Sequence, residues 1–206
     1  MVARAEYVDQ GTWGCYYYPR VPCRGVADAP DDVPLGSKVQ VTSEFLRNEI
    51  EVYRRIHRAT RLQLHFVLPA RVCALRTVAQ LAQIRECTAS FEDEAAAAAE
   101  ARDAPAAAES ASLGPFAYDA ASTWVNLQIP HVPNAAIITR YLRARPAAAR
   151  WQELLSCYLQ LTEAVAELAA LGVVHWDLHT SNVLVDGESG CIKVIDFGLA
   201  IAVDSP

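Results

Sequence analysis

The spacing of apolar residues changes several times along this chain, and each change marks an element. Residues 5 to 24 read as a strand, a turn at Gly11 to Gly14 and a second strand rich in Tyr16, Tyr17 and Tyr18, ended by Pro19 and Pro22, which predicts a hairpin. A loop with Pro30, Asp31, Asp32 and Pro34 precedes a short strand around Ser37 to Val41. Ser43 is placed to cap a helix, because its hydroxyl can accept from free N–H groups of the first turn; Phe45, Leu46, Ile50, Tyr53 and Ile56 carry that helix to about His57. Leu62 to Leu75 is β-prone but broken by Pro69, which suggests an edge strand or a strand pair.

From about Arg76 to Ala121 the chain turns to Ala, Glu, Asp and Ser, with five alanines at 95 to 99, and offers few large groups to bury. This predicts a helical or disordered surface insertion between strands. Order returns with a strand at Thr123 to Ile129, closed by Pro130 and Pro133, and a short helix at about 135 to 144. Trp151, Leu154, Leu155, Tyr158, Leu159, Leu161, Val165, Leu168 and Leu171 then define the strongest amphipathic helix, stopped by Gly172. Val183 to Val185 and Cys191 to Ile195 read as strands joined by the turn signal Asp186-Gly187. The order is β-rich first, helical later.

Composition narrows the functional classes. The chain has 206 residues, 52% of them hydrophobic, enough for one domain or two small lobes. A net charge of −6 argues against nucleic acid or an anionic membrane as partner. No apolar run approaches the roughly 18 to 20 residues that span a bilayer and no signal peptide opens the chain, so an intracellular, cytoplasmic location is the expectation. The six cysteines form no C-x-x-C pair and no zinc spacing, and reduced, scattered thiols are expected on the same argument. Of 18 basic residues only Lys38 and Lys193 are lysine, which singles both out.

The chemistry is concentrated in His175-Trp-Asp177-Leu-His179-Thr-Ser-Asn182, followed by the hairpin and Asp196-Phe-Gly198. These residues resemble the protein kinase catalytic loop and its metal-binding D-F-G, which specifies an α+β, protein-kinase-like bilobal fold: a β-rich N-lobe with one main helix, then the first part of a helical C-lobe. On that resemblance residues 5 to 131 are N-lobe and hinge, with the insertion at 76 to 121, and 132 to 206 begin the C-lobe. The implied reaction is ATP-dependent transfer to a protein hydroxyl, with Asp177 accepting the hydroxyl proton and Asn182 and Asp196 holding Mg2+ through hard oxygen atoms.

The resemblance extends to the N-terminal residues. Gly11-Thr12-Trp-Gly14 is similar to the second half of the glycine-rich loop over the phosphates, with Asp9 in place of its first glycine. Lys38 stands where the phosphate-contacting lysine is expected and Glu49 where its pairing glutamate is expected, with Glu51 the competing choice. Ile129 takes the gatekeeper place and His131 lies in the adenine-holding hinge. The style, with Gly-x-x-Gly-Cys and the Phe66 to Cys73 strand, is similar to divergent serine/threonine kinases of large DNA viruses, which would place the protein in a host cell or virion.

Three departures qualify what the resemblance implies. Trp176 replaces the arginine that receives an activation-loop phosphate, so switching by that phosphate is not expected. His179 replaces a lysine typical of serine/threonine kinases, and Asp177-Leu-His179-x-x-Asn182 is also similar to small-molecule phosphotransferases such as those acting on aminoglycosides. Without an activation segment or later helices after Gly198, apolar surface on the 150 to 171 helix is expected to be exposed, and transfer to be weak. Protein kinase, truncated nucleotide-binding pseudokinase and small-molecule phosphotransferase all stand as readings at this point.

Overall fold

The computed structural model describes residues 5–11, 14–23, 34–59, 64–75, 81–82, 84–85, 87 and 123–203. The expected insertion at 76 to 121 lies largely outside them, as do most of the 25 to 35 loop and Thr12. Two compact units form: residues 1–47 with 69–131, and residues 48–68 with 132–206.

The first unit is built on one antiparallel sheet. Its strands are β1 (Glu6–Gly11), β2 (Gly14–Tyr18), β3 (Leu35–Val41), β4 (Arg71–Leu75) and β5 (Trp124–Pro130), in the order β1-β2-β3-β5-β4. β4 is an edge strand, beginning two residues after Pro69, where a missing N–H costs no ladder bond. Gly11 pairs with Gly14, so the two strands expected on either side of these glycines pair antiparallel. A Cβ on Gly14 would stand 2.5 Å from the Val39 carbonyl oxygen, so close packing on β3 alone requires glycine there. Cys15, Tyr17, Val21, Val39, Leu75, Ile84, Cys87 and Trp124 make one buried cluster.

The expectation of reduced thiols is overturned in this unit. Cys15 is bonded to Cys87 and Cys23 to Cys73, with Cα–Cα distances of 5.7 and 6.0 Å, inside the range a disulfide bridges. Spacing along the chain could not reveal these pairs, because partners 72 and 50 residues apart are brought together by folding. Cys157 and Cys191 are free.

Helix α1 (Glu44–Arg58) begins where its cap was expected: the Leu46 N–H donates to Ser43 Oγ at 3.1 Å. Its buried positions Leu46, Ile50, Tyr53 and Ile56 share one face, whereas Phe45, expected on that face, is about half exposed. Glu44 in the first turn and Arg55, His57 and Arg58 in the last oppose the helix dipole favourably.

The second unit combines short strands with helices. Following β6 (Ala136–Ile137), the chain forms α2 (Ile138–Arg143) and α3 (Ala147–Ala170), then β7 (Val173–Val174), a 3₁₀ turn (Thr180–Asn182), β8 (Val183–Val185), β9 (Ile192–Val194) and β10 (Ile201–Ala202). The helix expected from 135 thus opens as a strand pairing with β8. β7 pairs with β10, and β6, β8 and β9 form a second small sheet. Residues 64–68 join this unit through Phe66, which bridges Val194, and through the Val67 N–H, which donates to the Val194 carbonyl.

The β8–β9 connection turns where the Asp186-Gly187 signal was read, with the Asp186 carboxylate accepting from the Glu188 N–H and the Ser189 hydroxyl and the positive φ falling on Gly190. Those bonds hold the Asp186 carboxyl below its ordinary pKa. On α3 the buried stripe is Cys157, Ala164 and Leu168, while Trp151, Leu155, Tyr158 and Leu159 are exposed. The helix ends with Gly172 at φ 65°, the left-handed conformation for which glycine has no Cβ penalty.

Candidate active site

In the first unit the candidate residues are placed by strand register. Lys38 lies at the middle of β3, opposite Tyr16 on β2 and Leu127 on β5, and is half-buried. Gly11 and Gly14 end the β1–β2 hairpin; Thr12, between them, lies outside the described residues. Ile129 is half-buried opposite Gly36. The His131 N–H donates to the Pro34 carbonyl at 2.7 Å, so that backbone donor is already engaged, and its ring stacks on Tyr18 with centroids 4.3 Å apart. Tyr16 Oη lies 3.4 Å from His131 Nδ1; burial and then Tyr18 push the Tyr16 phenol up to about 12, so it stays neutral.

In the second unit Glu49 is buried and accepts from the Tyr53 hydroxyl at 2.8 Å. Burial, then the charge of Glu49, pushes the Tyr53 phenol well above its ordinary value, which keeps the proton on tyrosine. Glu51 is different: it lies 3.6 Å from Arg54 and 3.7 Å from Arg55 on the half-exposed side of the same helix. Tyr53 was not singled out as a partner in the sequence, although its i+4 spacing from Glu49 is the signal that finds it.

The residues of the loop from His175 to Asn182 are held by a dense set of local bonds. The Asp177 N–H donates to the His175 carbonyl at 2.8 Å across Trp176, whose φ of 61° is the left-handed region that a bulky residue rarely enters. Asn182 is buried, and its Nδ2 donates to the Asp177 carbonyl at 3.0 Å and to Asp177 Oδ2 at 3.3 Å. The Ile195 N–H donates to the Asn182 carbonyl at 3.0 Å, which fixes the start of Asp196-Phe-Gly beside the loop. Asp196 itself has φ 60°, and its Oδ1 receives the Gly198 N–H at 3.4 Å. The left-handed backbone falls on one candidate residue, Asp196, and on Trp176, the neighbour of another.

Beneath the loop, Phe197 is fully buried, with its ring against His175 (centroids 4.8 Å apart), Tyr53 (5.6 Å) and Phe66 (6.0 Å). His175 Nε2 bonds the Ile195 carbonyl at 3.1 Å, and burial lowers the imidazole's pKa. The aromatic packing and this bond join the two halves of the motif, His175–Asn182 and Asp196–Gly198, into one piece.

The side chains present are of a kind that suits a magnesium ion. Asn182 Nδ2 donates to Asp177, so the Asn182 Oδ1 is the oxygen that could face a metal, and Asp196 offers a carboxylate; magnesium commonly takes only one or two protein oxygens and fills its sphere with water and phosphate. Among the described residues, no three His, Cys, Asp or Glu side chains converge as a tighter metal cluster. No helix among them is long and apolar enough to cross a membrane.

With its β-rich first unit and its helices, the chain has a protein-kinase-like α+β fold. Residues 128–206 match the family model for protein tyrosine and serine/threonine kinase. The serine/threonine-protein kinase oca2 of Schizosaccharomyces pombe is 42% identical over 55 residues, 26% of this chain and 8% of that protein. CBL-interacting protein kinase 25 of Oryza sativa subsp. japonica is 42% identical over 69 residues, 32% and 13% of the two chains. The tyrosine-protein kinase hopscotch of Drosophila melanogaster is 37% identical over 62 residues, 29% and 5%. The matched stretches are thus a small part of these relatives, and their names divide between serine/threonine and tyrosine acceptors.

Proposed function

We propose that the protein is an ATP-dependent protein kinase that transfers the γ-phosphoryl group to a serine or threonine hydroxyl. The observation that carries this reading is the bonded unit Asp177–Asn182, with Asp196 next to the Ile195–Asn182 bond. In the reaction the acceptor oxygen bonds to the γ-phosphorus, the bond to the ADP oxygen breaks, and the hydroxyl proton passes to Asp177. Asn182 and Asp196 would hold Mg2+, which supplies charge neutralisation on the phosphates. Lys38 is assigned to the α- and β-phosphates, Glu49 to keeping the nucleotide site in its working arrangement, and Gly11, Thr12 and Gly14 to the backbone cover over the phosphates. Ile129 and His131 are assigned to the adenine side, with side-chain and carbonyl contacts from His131, since its N–H is engaged by Pro34.

The test is transfer from labelled ATP with magnesium to a protein substrate bearing serine, threonine and tyrosine. Asp177→Asn should lower the rate by about 10²- to 10⁴-fold, the usual worth of a positioned acid–base group. Equal traces from the parent and the variant sink the proposal, and label on tyrosine alone corrects the acceptor.

A second reading, a nucleotide-binding module without transfer, is favoured by the exposed apolar residues Trp151, Leu155, Tyr158 and Leu159 on α3, a surface suited to holding a partner. It predicts a magnesium-dependent rise in melting temperature with ATP and no labelled product. Label on an aminoglycoside but not on protein would instead indicate a small-molecule phosphotransferase.

A further inference from the structure

His179 is the residue of the loop that the reaction above leaves without a task. Its side chain does two things at once. Nδ1 accepts the Ser181 N–H at 3.2 Å, capping the 3₁₀ turn that carries Asn182. Nε2 lies 3.7 Å from Asp177 Oδ2 and 3.3 Å from Asn182 Nδ2.

The cap decides the tautomer. A neutral imidazole has one donor and one acceptor nitrogen, so a ring whose Nδ1 accepts carries its proton on Nε2. Asn182 Nδ2 cannot take that proton, because it is itself a donor to the carbonyl and Oδ2 of Asp177. Among the neighbouring protein groups, the acceptor left for Nε2–H is Asp177 Oδ2. At 3.7 Å the pair is longer than a formed hydrogen bond, as such contacts often are before substrate is bound. Both side chains face solvent, 53% exposed for His179 and 39% for Asp177, so an acceptor hydroxyl can reach the carboxylate.

We propose that His179 is a positioning residue: capped through Nδ1, it directs Nε2–H at Asp177 Oδ2, so that Asn182 and His179 together fix one carboxylate oxygen and leave Oδ1 to the acceptor hydroxyl. This rests on the kinase reading for the role of Asp177, but the geometry itself can be tested without turnover.

In the ¹⁵N-labelled protein, the His179 ring signals, assigned by their loss in His179→Asn, should report the Nε2–H tautomer, and Asp177→Asn should shift the Nε2 signal. An Nδ1–H tautomer, or an Nε2 signal indifferent to Asp177→Asn, overturns the proposal whether or not the protein transfers phosphate. The kinetic arm separates cap from aim. His179→Asn keeps an acceptor for the Ser181 N–H but loses the distal donor; His179→Gln keeps a distal donor. The Asn variant should melt with the parent and lose about tenfold in kcat with KM for ATP unchanged, and the Gln variant should recover to within about threefold. Parental kcat in His179→Asn, or equal losses in both variants together with a lower melting temperature, would leave His179 a turn cap only. A parent inactive on protein overturns the function above, and the ring signals still decide the geometry.

Discussion

Lys38 and Asp177 reach their places by different physics. Lys38 sits on a strand whose seven residues all pair with β5, from Leu35 opposite Pro130 to Val41 opposite Trp124, and the same sheet unit contains both disulfides. Its position along the strand follows from register. Asp177 sits in a loop with no ladder, fixed by side-chain and backbone bonds from Asn182 and by a strained turn at Trp176. There the residue types are the structure; the matched family segment, residues 128–206, contains the loop, and Lys38 and Glu49 lie outside it. A scaffold held by register tolerates many sequences; a scaffold held by named side chains does not.

The sharpest way to break this comparison is to weigh the two residues against each other in transfer. Against the 10²- to 10⁴-fold loss expected for Asp177→Asn, Lys38→Met should lower kcat by about 10²-fold, the scale of losing one preorganised cationic or hydrogen-bond donor, with the fold intact by circular dichroism. Parental transfer in Lys38→Met would remove the first unit from the proposed chemistry and leave the second untouched.

Stability should divide in the same way. Phe197→Ala removes a fully buried ring packed on His175, Tyr53 and Phe66, and should cost about 3–5 kcal/mol in denaturant unfolding. A cost below about 1 kcal/mol would mean that the aromatic cluster does not hold the motif together.

The disulfide prediction belongs to the sheet. Replacing Cys23 and Cys73 together by serine, or reducing the parent, should destabilise the first unit by about 2–4 kcal/mol per bond lost. Thiol counting on the unreduced, unfolded chain should find two reactive cysteines, Cys157 and Cys191. Six would return the protein to the reduced state that its sequence suggested.

What the sequence disclosed and what it concealed follow the same division. The hairpin, the Ser43 cap and the end of α3 at Gly172 were legible because each depends on residues within a few positions of one another. The disulfide pairs, the bridge from Phe66 to Val194 and the pairing of β6 with β8 depend on partners far along the chain, and no local pattern carries them. On α3 the exposed apolar residues Trp151, Leu155, Tyr158 and Leu159 agree with the apolar surface expected there, and the buried Leu168 was among the residues that marked the helix, whereas the small buried residues Cys157 and Ala164 carried no such signal. In the loop from His175 to Asn182 the resemblance to kinase motifs directs attention to Asp177, Asn182 and Asp196; the arrangement of the His179 ring could not be read that way, since it depends on which ring nitrogen meets Ser181.

The smallest expected effect tests the join between the two halves of the motif. His175 donates through Nε2 to the Ile195 carbonyl, while its Nδ1 is buried with no hydrogen-bond partner, so protonation would place a second N–H where nothing accepts it. Burial accordingly lowers the folded pKa below the ordinary value near 6.5. Above about pH 6.5 neither folded nor unfolded chain holds the extra proton, and the group leaves stability unchanged. As pH falls below that value the unfolded chain takes up a proton that the folded chain refuses, and stability declines until the folded pKa is reached. By pH 5.5 a single such proton costs at most about 1.4 kcal/mol. Melting curves at pH 7.5 and 5.5 should therefore separate more for the parent than for His175→Gln, whose neutral amide can still donate to the Ile195 carbonyl. An equal separation would show that another group titrates in that window and that the bond between His175 and Ile195 does not depend on a neutral ring.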